Sequence, residues 1–329
     1  MWLCGSKINW HYGFGLAGLF MVLGLLNFWF KIDASYGPPP DAQKLKKKVF
    51  LNINFETAIY LVSFAAIAFV TFLFYHTGIM DVVVLPLTIL SFIYITIISF
   101  RFAQQERWKL FAALVVLLLT SFFWAFYEQQ GGALNLFVLH NIDVHVGSVE
   151  LPGLAINNFL PGFWLTVVTL LSFRVWNALH KRKMEPRPQM KFVIAFLLMG
   201  LYFMLLWIGC YLHRSTGLVP IGFLIGSYFI MECAEVNLGP VLYSLTSKLS
   251  PPSILNTMMG MLFLTTALGE YIAGKLGSIM SVPAHITNPV ESLPYFSNIF
   301  LKIAGGSCII ALIILILNPL LNKWMQEIR

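Results

Sequence analysis

Nine long apolar stretches dominate this sequence, and each could cross a membrane as a helix. About 20 residues, rising 1.5 Å each, span the roughly 30 Å of hydrocarbon in a bilayer. The stretches cover residues 11–30, 57–76, 82–100, 109–130, 159–180, 191–212, 218–241, 254–279 and 299–320. The chain is 58% hydrophobic and 11% charged, whereas a soluble domain is about 25% charged. The sequence therefore predicts an all-α membrane protein with nine transmembrane helices.

Lysine and arginine residues predict the orientation of these helices. They concentrate in segments 31–48, 101–109 and 181–191 and in the C-terminal tail, which fall on one side of the membrane if successive helices alternate in direction. The positive-inside rule makes that side the cytoplasm. The C-terminus is then cytoplasmic, Met1 is outside, and segment 131–158 is a long external loop. This charge pattern accounts for the net charge of +7 without a nucleic-acid partner.

Two acidic residues, Glu128 and Glu235, fall inside apolar spans. An acid there costs about 2.5–3.5 kcal/mol on insertion scales, so it usually faces a partner or a wet cavity. We expect these two acids to face one polar cavity. The Glu235 carboxylate could neutralise an ammonium group, although a structural acid bonded to a neighbouring helix is the alternative. Glu128 could take up a proton when a cationic partner leaves.

Residues beside these acids suggest how the cavity is built. Trp124 precedes Glu128 by four residues and shares its helix face, so it is predicted as a cavity wall; an interfacial or core tryptophan is the alternative. Gln129 either pins a helix end by hydrogen bonding or is solvated. Pro240 lies inside a span, where it removes a backbone hydrogen bond and kinks the helix beside a cavity or another helix. Glu232, one turn before Glu235, could equally serve helix packing or line the cavity.

Several segments together resemble the proton-dependent oligopeptide transporter family (POT, or PTR) of the major facilitator superfamily. Residues 123–129, FWAFYEQ, fit the family's F-W-x-x-x-x-Q motif on its seventh helix. Residues 235–240 with 248–251 are similar to the G-E-L-x-L-S-P…K-L-A-P stretch of the tenth helix, and 259–274 to the M-G-x-W-F-L-x-[TS]…A-G pattern of the eleventh. Residues 10–17 resemble the opening of the sixth helix.

The resemblance implies a division of the chain. Residues 1–31 would be the last helix of the N-terminal bundle, 32–56 a cytoplasmic loop, 57–108 an extra transmembrane hairpin, and 109–329 the C-terminal six-helix bundle. The family's first five helices, with their E-x-x-E-R motif, would be absent. The odd number of spans also favours a chain that is the later part of a longer protein.

The resemblance also implies residue roles. Glu235 would hold the N-terminal amine of a peptide, Glu128 would couple transport to protons, and Trp124 would line the substrate site. Thr266 and Leu262 would line it from the eleventh helix, where Leu262 replaces the family's tryptophan. Phe123, Gln129 and Pro240 belong to the structural motifs. Neither Glu232 nor the acid Glu270 matches a position that is usually charged in the family.

The predicted function is proton-coupled uptake of di- and tripeptides across the inner membrane of a bacterium. Peptide, proton and membrane lipid would be the partners, and a separately encoded N-terminal part is a further candidate. The alternatives are an inactive fragment, a split half, or a symporter for another small substrate. An enzyme is not expected, since the sequence lacks nucleophile and metal motifs. His140, Asp143 and His145 suit a solvated loop better than a metal site, and no cofactor is expected.

Overall fold

The computed structural model describes residues 10–31, 42–50, 53–279, 282–283 and 285–325. Met1 and Arg329, whose sides of the membrane were predicted, and residues 32–41 and 51–52 of the predicted loop 32–56 lie outside these residues. The helices are α1 (Trp10–Lys31), α2 (Ala42–Lys46), α3 (Phe55–Tyr75), α4 (Thr77–Ser99), α5 (Gln104–Tyr127), α6 (Ala133–Asn141), α7 (Gly153–Lys181), α8 (Pro188–Leu212), α9 (Ile221–Leu249), α10 (Leu255–Ile279) and α11 (Pro289–Met325). Short 3-10 turns occupy Glu128–Gln130 and Pro252–Ile254.

The strands are short and pair close to the helix ends. They are β1 (Lys48–Phe50), β2 (Ile53–Asn54), β3 (Ile142–Asp143), β4 (His145–Val146), β5 (Val149–Glu150) and β6 (Val219–Pro220). β1–β2 and β4–β5 are antiparallel pairs. β3 pairs with β6 in parallel, with Ile142 opposite Val219.

Eight helical segments of the described chain are long and apolar enough to cross a membrane. One of them, Gln104–Asn141, combines α5, the 3-10 turn and α6. The one predicted span that is missing from these eight, 254–279, is present as α10, a helix of 25 residues that carries Glu270 and Lys275. The protein is therefore an all-α, multi-pass membrane protein, as the apolar stretches predict.

The prediction of one long loop over residues 131–158 was wrong. Helix α6 occupies Ala133–Asn141, and α7 already begins at Gly153. The physical reason is that apolar residues resume after Gly131-Gly132, in ALNLFVLHN, so a second helix forms directly beyond the 3-10 turn Glu128–Gln130. The apolar stretch before this break is only the first part of a longer span.

The chain divides into two compact units, one up to Val83 and one from Val84. In the first unit, α1 and α3 have few buried residues, and apolar side chains such as Phe20 and Phe64 are exposed. Apolar helices whose large side chains are exposed in this way are suited to contact with lipid. The β1–β2 pair leads directly into α3.

The second unit is a helix bundle built on α5 and α8–α11. α8 packs against both α9 and α11, α5 packs against α10, and α7 packs against α9. Large fully buried aromatic side chains fill the bundle, among them Phe123, Tyr202, Tyr228 and Phe296. This core fixes the facing sides of α5, α8 and α9.

A buried amide joins three elements at one end of this bundle. The Nδ2 group of Asn141, at the end of α6, donates to the backbone oxygens of Gly217 at 2.8 Å and Pro289 at 2.7 Å. The Ser292 hydroxyl donates to Asn141 Oδ1 at 3.0 Å. Gly217 has a φ of +73°, and a Cβ there would overlap the backbone of Pro289, so glycine is required for this approach.

Candidate functional site

The end of α5 lies against α10 at very short range. A Cβ added to Gly269 of α10 would lie 2.6 Å from the Ser121 backbone oxygen and 2.7 Å from Trp124 Cβ. Only glycine permits such an approach without moving a helix. The sequence around Trp124 is therefore held in place by α10.

Gln129 ties the break after α5 to α10. Its Nε2 group donates to the Ala125 backbone oxygen at 2.9 Å and to the Ala273 backbone oxygen at 3.2 Å, and the side chain is buried. The first bond supplies a carbonyl near the helix end with a donor. Gln129 thus pins the helix end and is not solvated.

A cavity of about 440 Å³ opens where the 3-10 turn faces α10. Its wall includes two acids, Glu128 and Glu270. The remaining lining residues are Gln129, Gly131, Gly132, Ala133, Leu136, Ala273, Gly274 and Gly277. Small residues leave the space open, and the acids make its wall polar.

Glu235 is not among the residues that line this cavity, which differs from the expectation that Glu128 and Glu235 face one chamber. The Tyr127 hydroxyl instead donates to Glu235 Oε2 at 2.5 Å, so α5 already engages the Glu235 carboxyl. Glu270 and Glu235 both lie near enough to act electrostatically on Glu128. The structure therefore brings Glu128 beside Glu270 and puts Glu235 in an adjoining cluster.

Tyr127 joins a second acid to this cluster. Its hydroxyl lies 3.4 Å from Glu232 Oε1. Glu232 is fully buried, whereas Glu235 is half-buried. One phenol on α5 thus faces two carboxyl groups on α9.

The other predicted site residues have different surroundings. Trp124 is half-buried, with its ring 5.5 Å from that of Tyr127 and edge-on to it. Thr266 is half-buried and donates to the Leu262 backbone oxygen at 3.2 Å. Leu262 and Phe123 are buried in the core. Pro240 lies inside α9 with its side chain exposed.

Sequence reasoning missed a buried polar network on the α7 side. Asn157 is buried and accepts a hydrogen bond from the Tyr228 hydroxyl at 2.7 Å. Its own Nδ2 group donates to Asn135 Oδ1 at 2.7 Å. The only signal in the sequence was the presence of two adjacent amides, Asn157 and Asn158, in an apolar helix. Asn158 is exposed, and composition alone does not show which of the two amides is buried.

Of the three residues that the sequence places in a solvated loop, His140 lies in helix α6, Asp143 ends strand β3 and His145 begins strand β4. His145 Nδ1 lies 3.1 Å from Asp143 Oδ1, and both side chains are exposed. The backbone N–H of His145, and then its ring, hold the pKa of the Asp143 carboxyl below its usual value. The described part of the chain contains no group of three or more histidine, cysteine or acidic residues placed to hold a metal ion.

Comparison with known proteins gives the family. The sequence pattern of the POT family matches residues 2–293. The chain belongs to the POT family. The members of this family are transporters. The match confirms the resemblance that residues 123–129 and 235–240 indicate.

Curated relatives in this family are peptide permeases. The chain is 28% identical over 328 residues to dipeptide and tripeptide permease A of Cronobacter turicensis, covering 99% of this chain and 64% of that protein. It is 26% identical over 335 residues to the protein of that name from Escherichia coli, covering 99% of this chain and 63% of the relative. The chain thus spans slightly under two thirds of the length of these relatives.

Solved POT structures share the fold. A crystal structure of a peptide transporter POT in complex with sulfate superposes with a TM-score of 0.72 at 25% identity, covering 99% of this chain and 64% of that one. Another, of a mutant POT in complex with alafosfalin, gives a TM-score of 0.74 at 23% identity, with the same coverage of each chain. The major facilitator type of architecture predicted from the sequence is confirmed.

Proposed function

We propose that this chain takes part in proton-coupled uptake of di- and tripeptides across the bacterial inner membrane. Family membership and the peptide permeases among its relatives support this proposal. The observation that carries it is the cluster at the end of α5, where Tyr127 bonds Glu235 and Glu128 lines a cavity beside it. Acids so placed suit a charged guest better than lipid.

Glu235 is the proposed site for the peptide amine. Its carboxyl is half-buried, so one side is open to a guest while the other accepts the Tyr127 hydroxyl at 2.5 Å. An ammonium group bound to a carboxylate in a low-dielectric site forms a strong, charge-assisted hydrogen bond. Trp124 beside Tyr127 offers an apolar ring for peptide side chains, and the half-buried Thr266 contributes the α10 side of the site. Leu262, which was also predicted to line the site, is buried in the core and supports that wall from behind.

Glu128 is the proposed proton-coupling residue. Its carboxyl borders the same cavity as Glu270, and two neighbouring carboxylates are costly unless one binds a proton or a cation approaches. Movement of a proton on and off Glu128 would thereby change the charge of the cavity. No covalent chemistry is required of the chain, and membrane lipid is its proposed surroundings.

The complete transporter is proposed to include the part that the relatives have and this chain does not span. That part, encoded in the same or a separate gene, would complete the second wall of the substrate site. The C-terminus is proposed to be cytoplasmic, following the lysine and arginine pattern of the sequence.

Uptake of a labelled dipeptide into proteoliposomes tests this function. We expect uptake that depends on an imposed proton gradient, falls at least about tenfold in Glu235→Gln, which removes the charge-assisted bond, and is unaffected in Glu150→Gln, an exposed acid of β5. A dipeptide with an acetylated amine should compete poorly, because it cannot form the ion pair. The full chain should be assayed alone and with any coding sequence found immediately upstream.

Two results would count against the proposal. One is uptake that ignores both the gradient and Glu235→Gln. The other is equal competition by the free and the acetylated dipeptide, which would remove the amine from recognition and favour another small substrate.

A further inference from the structure

Glu232 is a buried acid with few partners in the described part of the chain. Its side chain is fully buried. One oxygen, Oε1, lies 3.4 Å from the Tyr127 hydroxyl, and the other, Oε2, has no hydrogen-bond partner among the described residues. A buried polar atom left without a partner is costly, and a charged one more so.

Tyr127 cannot satisfy both acids at once. A phenol has one proton to donate, and the oxygen of Tyr127 lies 2.5 Å from Glu235 but 3.4 Å from Glu232. A distance of about 2.5–2.7 Å is typical of a hydroxyl bound to an ionised carboxylate. The geometry therefore favours Glu235 as the ionised member and leaves Glu232 with a long, weak contact.

No cation balances Glu232 within the described residues. The ion pairs seen there involve Asp143 and Glu185 instead. The titratable groups that face the pair are Tyr127 of α5, Tyr202 of α8, Tyr228 and Cys233 of α9, and Glu128 of the 3-10 turn. All of these are neutral or acidic, so a second negative charge beside Glu235 would be buried without compensation.

We propose that Glu232 is a proton-binding residue of this chain, holding a proton while its neighbour Glu235 is ionised. A cation that binds at Glu235 compensates one negative charge and allows Glu232 to release its proton to water. The charges balance, because the cluster gains one positive charge with the cation and loses one with the proton, so its net charge stays the same. Proton release on peptide binding rests on the proposed function, whereas the proton on Glu232 does not.

Glu232→Gln separates this role from a packing role. Glutamine keeps the size and hydrogen-bonding capacity of the side chain but cannot ionise. Glu150→Gln is the matched control, because it removes an exposed acid far from the pair in sequence and outside the helix bundle. The measurements use the full chain purified in detergent.

The first measurement needs no peptide. Infrared spectra in H₂O and D₂O report the C=O stretch of protonated carboxylic acids, which shifts on deuteration. At neutral pH we expect such a band in the wild type, in Glu235→Gln and in Glu150→Gln, and a decrease of its area by one carboxylic acid in Glu232→Gln, even if other acids such as Glu128 also contribute to the band. An unchanged band in Glu232→Gln would overturn the proposal.

The second measurement counts protons during binding. Calorimetric titration of a dipeptide in two buffers of different ionisation enthalpy gives the protons released per peptide bound. We expect the wild type and the Glu150→Gln control to release protons when they bind the dipeptide. Glu232→Gln should still bind the dipeptide but should not release the proton that Glu232 contributes. Equal release from wild type and Glu232→Gln would overturn the coupling. Absence of dipeptide binding both to this chain and to the chain completed with any upstream coding sequence would instead contradict the proposed function and leave the infrared result to decide the protonation of Glu232.

Discussion

Replacing Gly269 by alanine tests the packing of α10 against α5. The new Cβ would lie 2.6 Å from the Ser121 backbone oxygen and 2.7 Å from Trp124 Cβ, and neither is the flexible end of a side chain. Relief requires the helices to move apart, and overpacking of this kind costs about 1–3 kcal/mol. Alanine also favours the helix over glycine by about 1 kcal/mol, so the net loss is about 0–2 kcal/mol.

A control on the same helix removes the propensity contribution. Gly260 of α10 has no neighbouring atom within 4 Å of the place that an added Cβ would take, so Gly260→Ala gains helix propensity without overlap. The unfolding free energies of the two variants should differ by about 1–3 kcal/mol, measured by SDS titration in mixed micelles. The total fluorescence of the nine tryptophans should change only in Gly269→Ala, whose new methyl group would press on Trp124. If the two variants were equally stable, the inferred contact between α5 and α10 would be wrong.

Three further predictions concern single side chains. Asn141→Leu should lower the unfolding free energy by about 1–3 kcal/mol, because it leaves buried partners unsatisfied; Asn158→Leu, at an exposed amide, should change it little, and equal losses would contradict this. Gln129→Leu should lower the unfolding free energy by a similar amount in the same SDS titration. A Gln129→Leu variant as stable as the wild type would show that the hydrogen bonds of Gln129 do not stabilise the end of α5. The Lys191 ammonium holds the pKa of the Glu185 carboxyl below its usual value, so this pair adds stability above about pH 4.3 and loses it as the pH falls through the lowered pKa. Glu185→Gln should therefore lose less stability than the wild type as the pH is lowered. If the unfolding free energy of both proteins depended on pH in the same way, this role of the Glu185–Lys191 pair would be refuted.

The length of each apolar run made most helices predictable. The spans predicted at 191–212 and 254–279 are observed as α8 (Pro188–Leu212) and α10 (Leu255–Ile279). α11 was predicted from residue 299 but begins at Pro289, because its first turns carry polar residues that a search for apolar runs passes over. Asn288 Oδ1 accepts the Val290 backbone N–H at 3.0 Å, which is how that polar start is capped.

The partners within the site were not predictable in the same way. The motif of residues 123–129 singled out Trp124 and Glu128, but the sequence did not reveal that Glu270 shares the cavity with Glu128. Helices in a membrane are apolar on nearly all faces, so periodicity does not say which side meets a neighbour. The contact of Tyr127 with acids more than one hundred residues away depends on the rotation and register of two helices, which only the packed structure supplies.

The amide of Asn141 has a consequence for how the bundle opens. Its side chain holds the end of α6, the turn at Gly217 and the start of α11 together, so none of these can fray while the other two stay fully bonded. Opening of this end of the bundle is consequently cooperative. Backbone amides from these three distant parts of the sequence should exchange their hydrogens with solvent with one common opening free energy.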